Sequence, residues 1–267
     1  MSKIQNPFSV YDFLGYLTPG IFITSGLSII KKFDTIIDKG FFAWIGSIEK
    51  NVSFESCLSL IVLFYIIGHI VNYLSAIIIE RHSVLVFDYP SKYLIKKGNP
   101  RDYSIKEKGG SLCDLLFRSL VYIVTSPLFI FKILLKSKIS RPMDEIYIKP
   151  YINKANQLSK RLLDKDEIED FTDSWRLIYH HMSEIAPYHF TKFQNYVALY
   201  GFTRAICFCF LIFSWYSLVK LVFFRGSVWL VLLSFMGLFV MYMAFNKFYR
   251  RFSLEVIMSY LSFEKQT

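Results

Sequence analysis

Residues 56–79 read SCLSLIVLFYIIGHIVNYLSAIII, a run of 24 residues without a charged side chain. As an α-helix this run would be about 36 Å long, enough to cross a hydrocarbon core of about 30 Å. Its polar and small side chains recur at helical spacing and form one stripe, made of Tyr65, Gly68, His69, Asn72 and Ala76. Imidazole and carboxamide groups are costly against lipid, so the stripe predicts either a pore lining or a polar contact between helices. The candidates for pore lining are Tyr65, His69 and Asn72.

The composition also indicates a membrane protein. Of 267 residues, 54% are hydrophobic and 18% aromatic, and only 19% are charged. A soluble domain of this size carries more charge, so we expect several membrane spans and a modest soluble part. The net charge of +10 points to anionic partners such as lipid head groups, nucleotides or nucleic acid.

Two further runs predict spans on their own. The first span covers residues 13–30, with a helix kink expected at the Pro19 it contains. The fourth covers residues 226–246, where small side chains favour close helix contact at Ser234, Gly237 and Ala244.

The third span needs an extension. The uncharged run 205–219 has only 15 residues, but it reaches spanning length if residues 196–204 continue the helix and Arg204 extends its charge to the interface. Pro187 suits the first turn of that helix. The sequence therefore predicts an all-α protein with four transmembrane helices and a helical cytoplasmic domain inserted between the second and third.

The predicted domains are residues 1–79 with two spans, 80–204 as a basic cytoplasmic domain, 205–246 with two spans, and 247–267 as a cytoplasmic tail. Within the second of these, the pattern predicts helices at 144–163 and 172–185. An apolar piece of 13 residues, 119–131, is short for a span. It is interpreted as interfacial or buried against the bundle, with a fifth span as the alternative.

The positions of basic residues predict the orientation. With both termini cytoplasmic, 25 of the 31 Lys and Arg residues lie on the inner side and six on the outer side. The high content of Lys, Ile, Phe and Tyr suggests a prokaryotic source, so we expect a bacterial inner membrane.

A basic segment follows the second span. Residues 92–108 interleave lysines and arginines with Tyr93 and Tyr103, a pattern that suits phosphate contacts and base stacking. The alternative is adhesion to anionic lipid. The candidate residues for an anionic ligand are Lys96, Lys97, Arg101, Lys106 and Lys108, together with Lys154 and Arg161 on a predicted helix.

Catalytic and metal signatures are not found in the sequence. It holds no G-x-S-x-G, Walker, H-E-x-x-H or G-x-G-x-x-G motif, and its four cysteines lack zinc-ligand spacing. His180 and Glu184 share a helix face, but that helix offers no third ligand at a suitable spacing. We expect no enzyme activity, no cofactor and no metal.

Residues 8–20, FSVYDFLGYLTPG, precede a polar second span that ends in Glu80, Arg81 and His82. This arrangement resembles small multispanning membrane effectors of bacterial antiphage defence systems, with the Hailong channel effectors as one candidate group. The resemblance covers mainly the first 82 residues and the general layout. It implies a channel controlled by a nucleotide signal from a soluble partner enzyme.

Two functional hypotheses follow. Four helices per chain can hardly enclose an aqueous pore, so a conducting form requires a homo-oligomer. The first hypothesis is an oligomeric channel or membrane-perturbing effector gated by a nucleotide or oligonucleotide. The second is a non-conducting anchor or scaffold that recruits a soluble partner.

Overall fold

The computed structural model describes residues 13–33, 36, 54–96, 119, 121–164 and 171–263. Every regular element in these residues is helical, as the sequence predicts. Two π-helical segments, Phe13–Leu17 and Ala76–Glu80, precede α-helices. The α-helices are α1 (Thr18–Lys31), α2 (Phe54–Ser75), α3 (Arg81–Phe87), α4 (Pro90–Tyr93), α5 (Ser126–Ile139), α6 (Glu145–Leu163), α7 (Phe171–Ile185), α8 (Pro187–Phe224) and α9 (Val228–Ser262).

Three helical stretches in the described part of the chain are long and apolar enough to cross a membrane: Cys57–Tyr93, His189–Phe224 and Val228–Ser262. They correspond to the predicted second, third and fourth spans. The helix of the predicted first span, α1, has 14 residues and is therefore about 21 Å long. Because that is shorter than a hydrocarbon core of about 30 Å, the first span depends on the preceding π-helical turn and stays a prediction.

The third and fourth spans belong to helices much longer than the apolar runs. Pro187 begins α8, and the helix continues unbroken through Arg204, as predicted. Arg225 has a left-handed backbone with φ of 54°, and α9 starts three residues later at Val228 rather than at Gly226. That helix also continues past Asn246, the predicted end of the span, to Ser262. Buried side chains at Phe252, Val256 and Ile257 explain why the helix persists there.

The chain forms two compact units. The first consists of Met1–Glu80 and Gly201–Phe245. Its interior contains aromatic contacts of Phe22 with Phe210 and Phe213, at ring-centroid distances of 5.3 and 5.7 Å. A Cβ on Gly237 would overlap the Phe210 ring, so the predicted close contact at this small residue is present. Its surface exposes many apolar side chains of α2 and α9, which suits lipid contact.

The second unit consists of Arg81–Tyr200 and Asn246–Thr267. Ser83 donates a buried hydrogen bond of 2.5 Å to Asn246, joining α3 to α9. In α5, Pro127 lies in the first turn, where a missing N–H costs nothing, so it starts the helix instead of breaking it. Leu128 and Phe131 are buried, whereas Ile130, which is also apolar, is exposed.

Candidate functional site

The polar stripe of α2 begins with an aromatic group, which we call the histidine cluster: Tyr16, Tyr65 and His69. The imidazole of His69 stacks on the Tyr16 ring, with centroids 3.8 Å apart and planes 16° apart. Its other neighbour, Tyr65, lies edge-on at 4.6 Å and 81°. His69 is exposed on the first unit although it sits in the apolar part of α2. The exposed ring is therefore available to another copy of the chain or to water.

Two glycines bring the histidine cluster together. A Cβ on Gly68 would overlap the backbone carbonyl of Tyr16, and a Cβ on Gly20 would overlap that of Phe64. The backbones of the two helical segments therefore touch, as small residues allow in membrane helices. This close approach places the Tyr16 ring against His69. The π-helical turn Phe13–Leu17 ends just before Pro19, which has no N–H to continue the ladder.

One turn further along, the stripe contacts a partly buried charged side chain. We call this group the arginine cluster: Asn72, Ser75, Glu80 and Arg204. Arg204 Nη2 donates to Asn72 Oδ1 at 2.9 Å, and Nε donates to Ser75 Oγ at 3.2 Å. Nη1 forms an ion pair with the Glu80 carboxylate. The Arg204 and Glu80 side chains are only 12% and 26% exposed.

Local helix geometry explains how three side chains from α2 and the π-helical segment after it contact one guanidinium. Asn72 and Ser75 are three residues apart in an α-helix and share a face. Glu80 follows Ser75 by five residues across the π-helical segment Ala76–Glu80, whose repeat is wider than that of an α-helix. The π-turn therefore returns Glu80 to the face of Asn72 and Ser75.

The arginine cluster gives Arg204 partners that the sequence analysis did not predict. Its guanidinium is partly buried among three acceptors in the first unit, and one of them is the carboxylate of Glu80; the extension of the charge to a membrane interface stays a prediction. A planar guanidinium with a carboxylate and two neutral acceptors is a stable arrangement when desolvated. The contact of Asn72 with Arg204 favours the interpretation of the stripe as a polar contact between helices. The exposed His69 remains a candidate for pore lining.

The structure separates the candidates for anionic ligands. Lys96 pairs with the Glu145 carboxylate and so has an intramolecular partner. Lys154 Nζ donates to the carbonyl oxygens of Tyr260 at 2.8 Å and Phe263 at 2.7 Å, so it caps the C-terminal end of α9. Arg161 is exposed. Lys97, Arg101, Lys106 and Lys108 lie outside the described residues.

Sequence reasoning missed Tyr16, Glu80 and the role of Arg204. A usable signal was present for the last two: Arg204 is the one charged residue between Lys192 and Lys220, and Glu80 ends the uncharged run of the second span. Opposite charges at the same end of two antiparallel spans predict a pair. For Tyr16 the sequence carried no such signal, because tyrosines are abundant throughout the chain.

Within the described residues, no three His, Cys, Asp or Glu side chains are arranged to hold a metal ion. The chain matches no protein-family model, no curated protein and no solved structure.

Proposed function

We propose that the chain is an oligomeric membrane channel or membrane-perturbing effector of the bacterial inner membrane. In this proposal residues 13–30 form the first of four spans, both termini are cytoplasmic, and residues 80–204 receive an anionic nucleotide or oligonucleotide signal. A soluble partner enzyme would produce that signal, in antiphage defence.

The observation that carries the proposal is the exposure of His69. Its neighbours on the same surface of α2 are the exposed side chains of Ile66, Ile70 and Tyr73, which suit an apolar environment. An imidazole facing lipid at this depth is costly, so a second copy of the chain or water should cover it. A symmetric oligomer with His69 toward its axis satisfies both requirements, because copies then meet around a wet centre.

The arginine cluster supports the second candidate, a non-conducting anchor that recruits a soluble partner. Its charges neutralise each other and its polar groups are bonded within one chain. Polar residues used only for helix packing are what an anchor requires. The two candidates therefore differ in the role of His69.

Bilayer recordings of the purified protein test the proposal. His69→Leu should change single-channel conductance or ion selectivity while the oligomer measured by native mass spectrometry persists, because only the lumen surface changes. Asn72→Leu serves as the contrast and should act mainly on assembly and stability. A wild-type protein that is monomeric and passes no ions would refute the channel and leave the anchor.

The orientation needs its own test. Single cysteines introduced at Lys160 and Lys39 in a background without native cysteines should label from the cytoplasm and from the outside, respectively. Labelling of Lys160→Cys by an impermeant reagent added outside intact cells would contradict the proposed topology.

A further inference from the structure

A cavity of about 480 Å³ in the second unit lies beside the N-terminal end of α6 and the second half of α9. Its size falls within the usual range for small-molecule sites, roughly 300–1,000 Å³. Its lining is partly apolar and partly charged, and consists of Arg141, Pro142, Met143, Asp144, Tyr147, Arg250, Leu254 and Met258. The sequence candidates for anion binding include none of these residues.

Arg250 is the central cation of this cavity. Its Nη2 donates to the backbone carbonyl of Arg141 at 3.1 Å, which fixes the guanidinium against the loop before α6. Because a guanidinium carries five N–H donors, Arg250 can bond both the Arg141 carbonyl and a ligand oxygen in the cavity that it lines. Arg141 contributes a second guanidinium to the lining.

The start of α6 adds donors of the same kind. Asp144 occupies the N-cap position, but its side chain makes no capping hydrogen bond. The amide of Tyr147 donates to the Asp144 carbonyl at 3.0 Å, which leaves the amides of Glu145 and Ile146, the first two of this 19-residue helix, to meet a ligand. Helix N-termini attract anions through these groups and the helix dipole. The negative groups nearby are Asp144, which lines the cavity, and Glu145, whose carboxylate is bonded to Lys96. The charged side chains that line the cavity are therefore two guanidinium groups and the carboxylate of Asp144.

We propose that this cavity binds a phosphoryl group attached to an apolar or aromatic moiety. Arg141 and Arg250 would hold the phosphate oxygens, since guanidinium groups bind phosphate in a planar, bidentate manner. Tyr147, Met143, Leu254 and Met258 would contact the remainder of the ligand. Two kinds of ligand contain such a phosphoryl group, a soluble nucleotide and an anionic phospholipid. The inference deepens the proposed function and rests on it, because it gives the anionic signal a site.

The test uses the full chain in nanodiscs of phosphatidylcholine, with AMP as the soluble probe and calorimetric titration as the measurement. Arg250→Gln and Arg141→Gln should each weaken AMP binding at least about tenfold, the value of one lost charge-assisted hydrogen bond. Arg251→Gln is the matched control: it removes the same charge from the next position, which is exposed and does not line the cavity. It should leave the affinity within about twofold.

A second arm distinguishes the lipid source. Native mass spectrometry of protein prepared with phosphatidylglycerol should show retained lipid in the wild type and in Arg251→Gln, and loss of it in Arg250→Gln. A selective effect of the cavity arginines on either probe supports the site and identifies its source. Equal behaviour of all three variants with both probes overturns it. If Arg250→Gln fails to fold, Arg141→Gln decides, since Arg141 is exposed.

These outcomes are separate from the conductance test. Selective AMP or lipid binding by a protein that passes no ions would refute the channel and retain the site. Conductance without selective binding would refute the site and retain the channel.

Discussion

The two most polar residues of the stripe on α2, His69 and Asn72, look alike in sequence but differ in the structure. Asn72 belongs to the arginine cluster, where a partner 132 residues away satisfies it. His69, three residues earlier, is exposed, and its ring contacts the rings of Tyr16 and Tyr65. A polar residue at membrane depth therefore does not by itself indicate a pore. What distinguishes the two residues is whether the described part of the same chain supplies a hydrogen-bond partner.

The largest expected effect comes from breaking the arginine cluster. Arg204→Met should lower the free energy of unfolding by about 3 kcal/mol, because it leaves the partly buried Glu80 carboxylate without its cation. The double variant Arg204→Met, Glu80→Met should recover most of the loss, since no lone charge remains. Unfolding by SDS titration in mixed micelles measures both.

The matched control is the ion pair of Lys192 with Glu255: the two carboxylates are similarly exposed, 23% for Glu255 and 26% for Glu80, but Lys192 is 54% exposed and Arg204 only 12%. Lys192→Met should cost less than about 1 kcal/mol. If the Arg204 double variant is no more stable than the single one, the cluster does not hold a desolvated charge.

The second test compares a glycine at the close backbone contact of the histidine cluster with a glycine that has open space around it. Gly68→Ala should cost about 2 kcal/mol, because the new methyl group meets a backbone carbonyl that cannot rotate away. The fluorescence of Tyr16 and Tyr65 should change with it. Gly201→Ala is the control in α8, where an added Cβ meets nothing within 4 Å. It should be neutral or stabilise by up to about 1 kcal/mol through helix propensity. Equal costs at both positions would contradict the close backbone contact.

The third test compares the two polar residues directly. Asn72→Leu should cost about 1–2 kcal/mol, because a guanidinium N–H loses its acceptor. His69→Leu should change the free energy of unfolding by less than about 1 kcal/mol, since an exposed ring is replaced by an apolar side chain of similar reach. The same SDS titration measures both. The reverse order would show that the histidine cluster is the structural one.

The smallest effect concerns a charge pair at the surface. The hydrogen bond from Lys96 holds the pKa of the Glu145 carboxyl group below its usual value. A depressed folded-state pKa contributes stability that is present above the unfolded-state pKa and is lost as the pH falls through the folded-state pKa. The difference in melting temperature between wild type and Glu145→Gln should therefore be small at pH 7 and vanish in acid. A difference that grows in acid would have the wrong sign for this pair.

Local patterns predicted the helices well. Asp144 before an amphipathic run predicted the start of α6 within one residue, and Pro187 predicted the start of α8. The extension of α9 beyond Asn246 was not predicted, because residues 247–262 are too polar to signal a span and are stabilised by burial in the second unit. The pairing of Arg204 with Glu80 joins residues 124 apart, and periodicity carries no information about such distances. The cavity beside Arg250 depends on loop geometry that the sequence pattern does not encode.

The glycine contacts have a consequence for how this chain could vary between species. Each glycine faces a backbone carbonyl of the other segment, and every amino acid carries the same carbonyl. A larger residue at Gly20 or Gly68 therefore cannot be accommodated by a smaller partner opposite it. We expect these two positions to stay glycine in any relatives that keep the histidine cluster, without the paired exchanges that mark side-chain contacts. Loss of either glycine in a relative would signal that its first two helices are arranged differently.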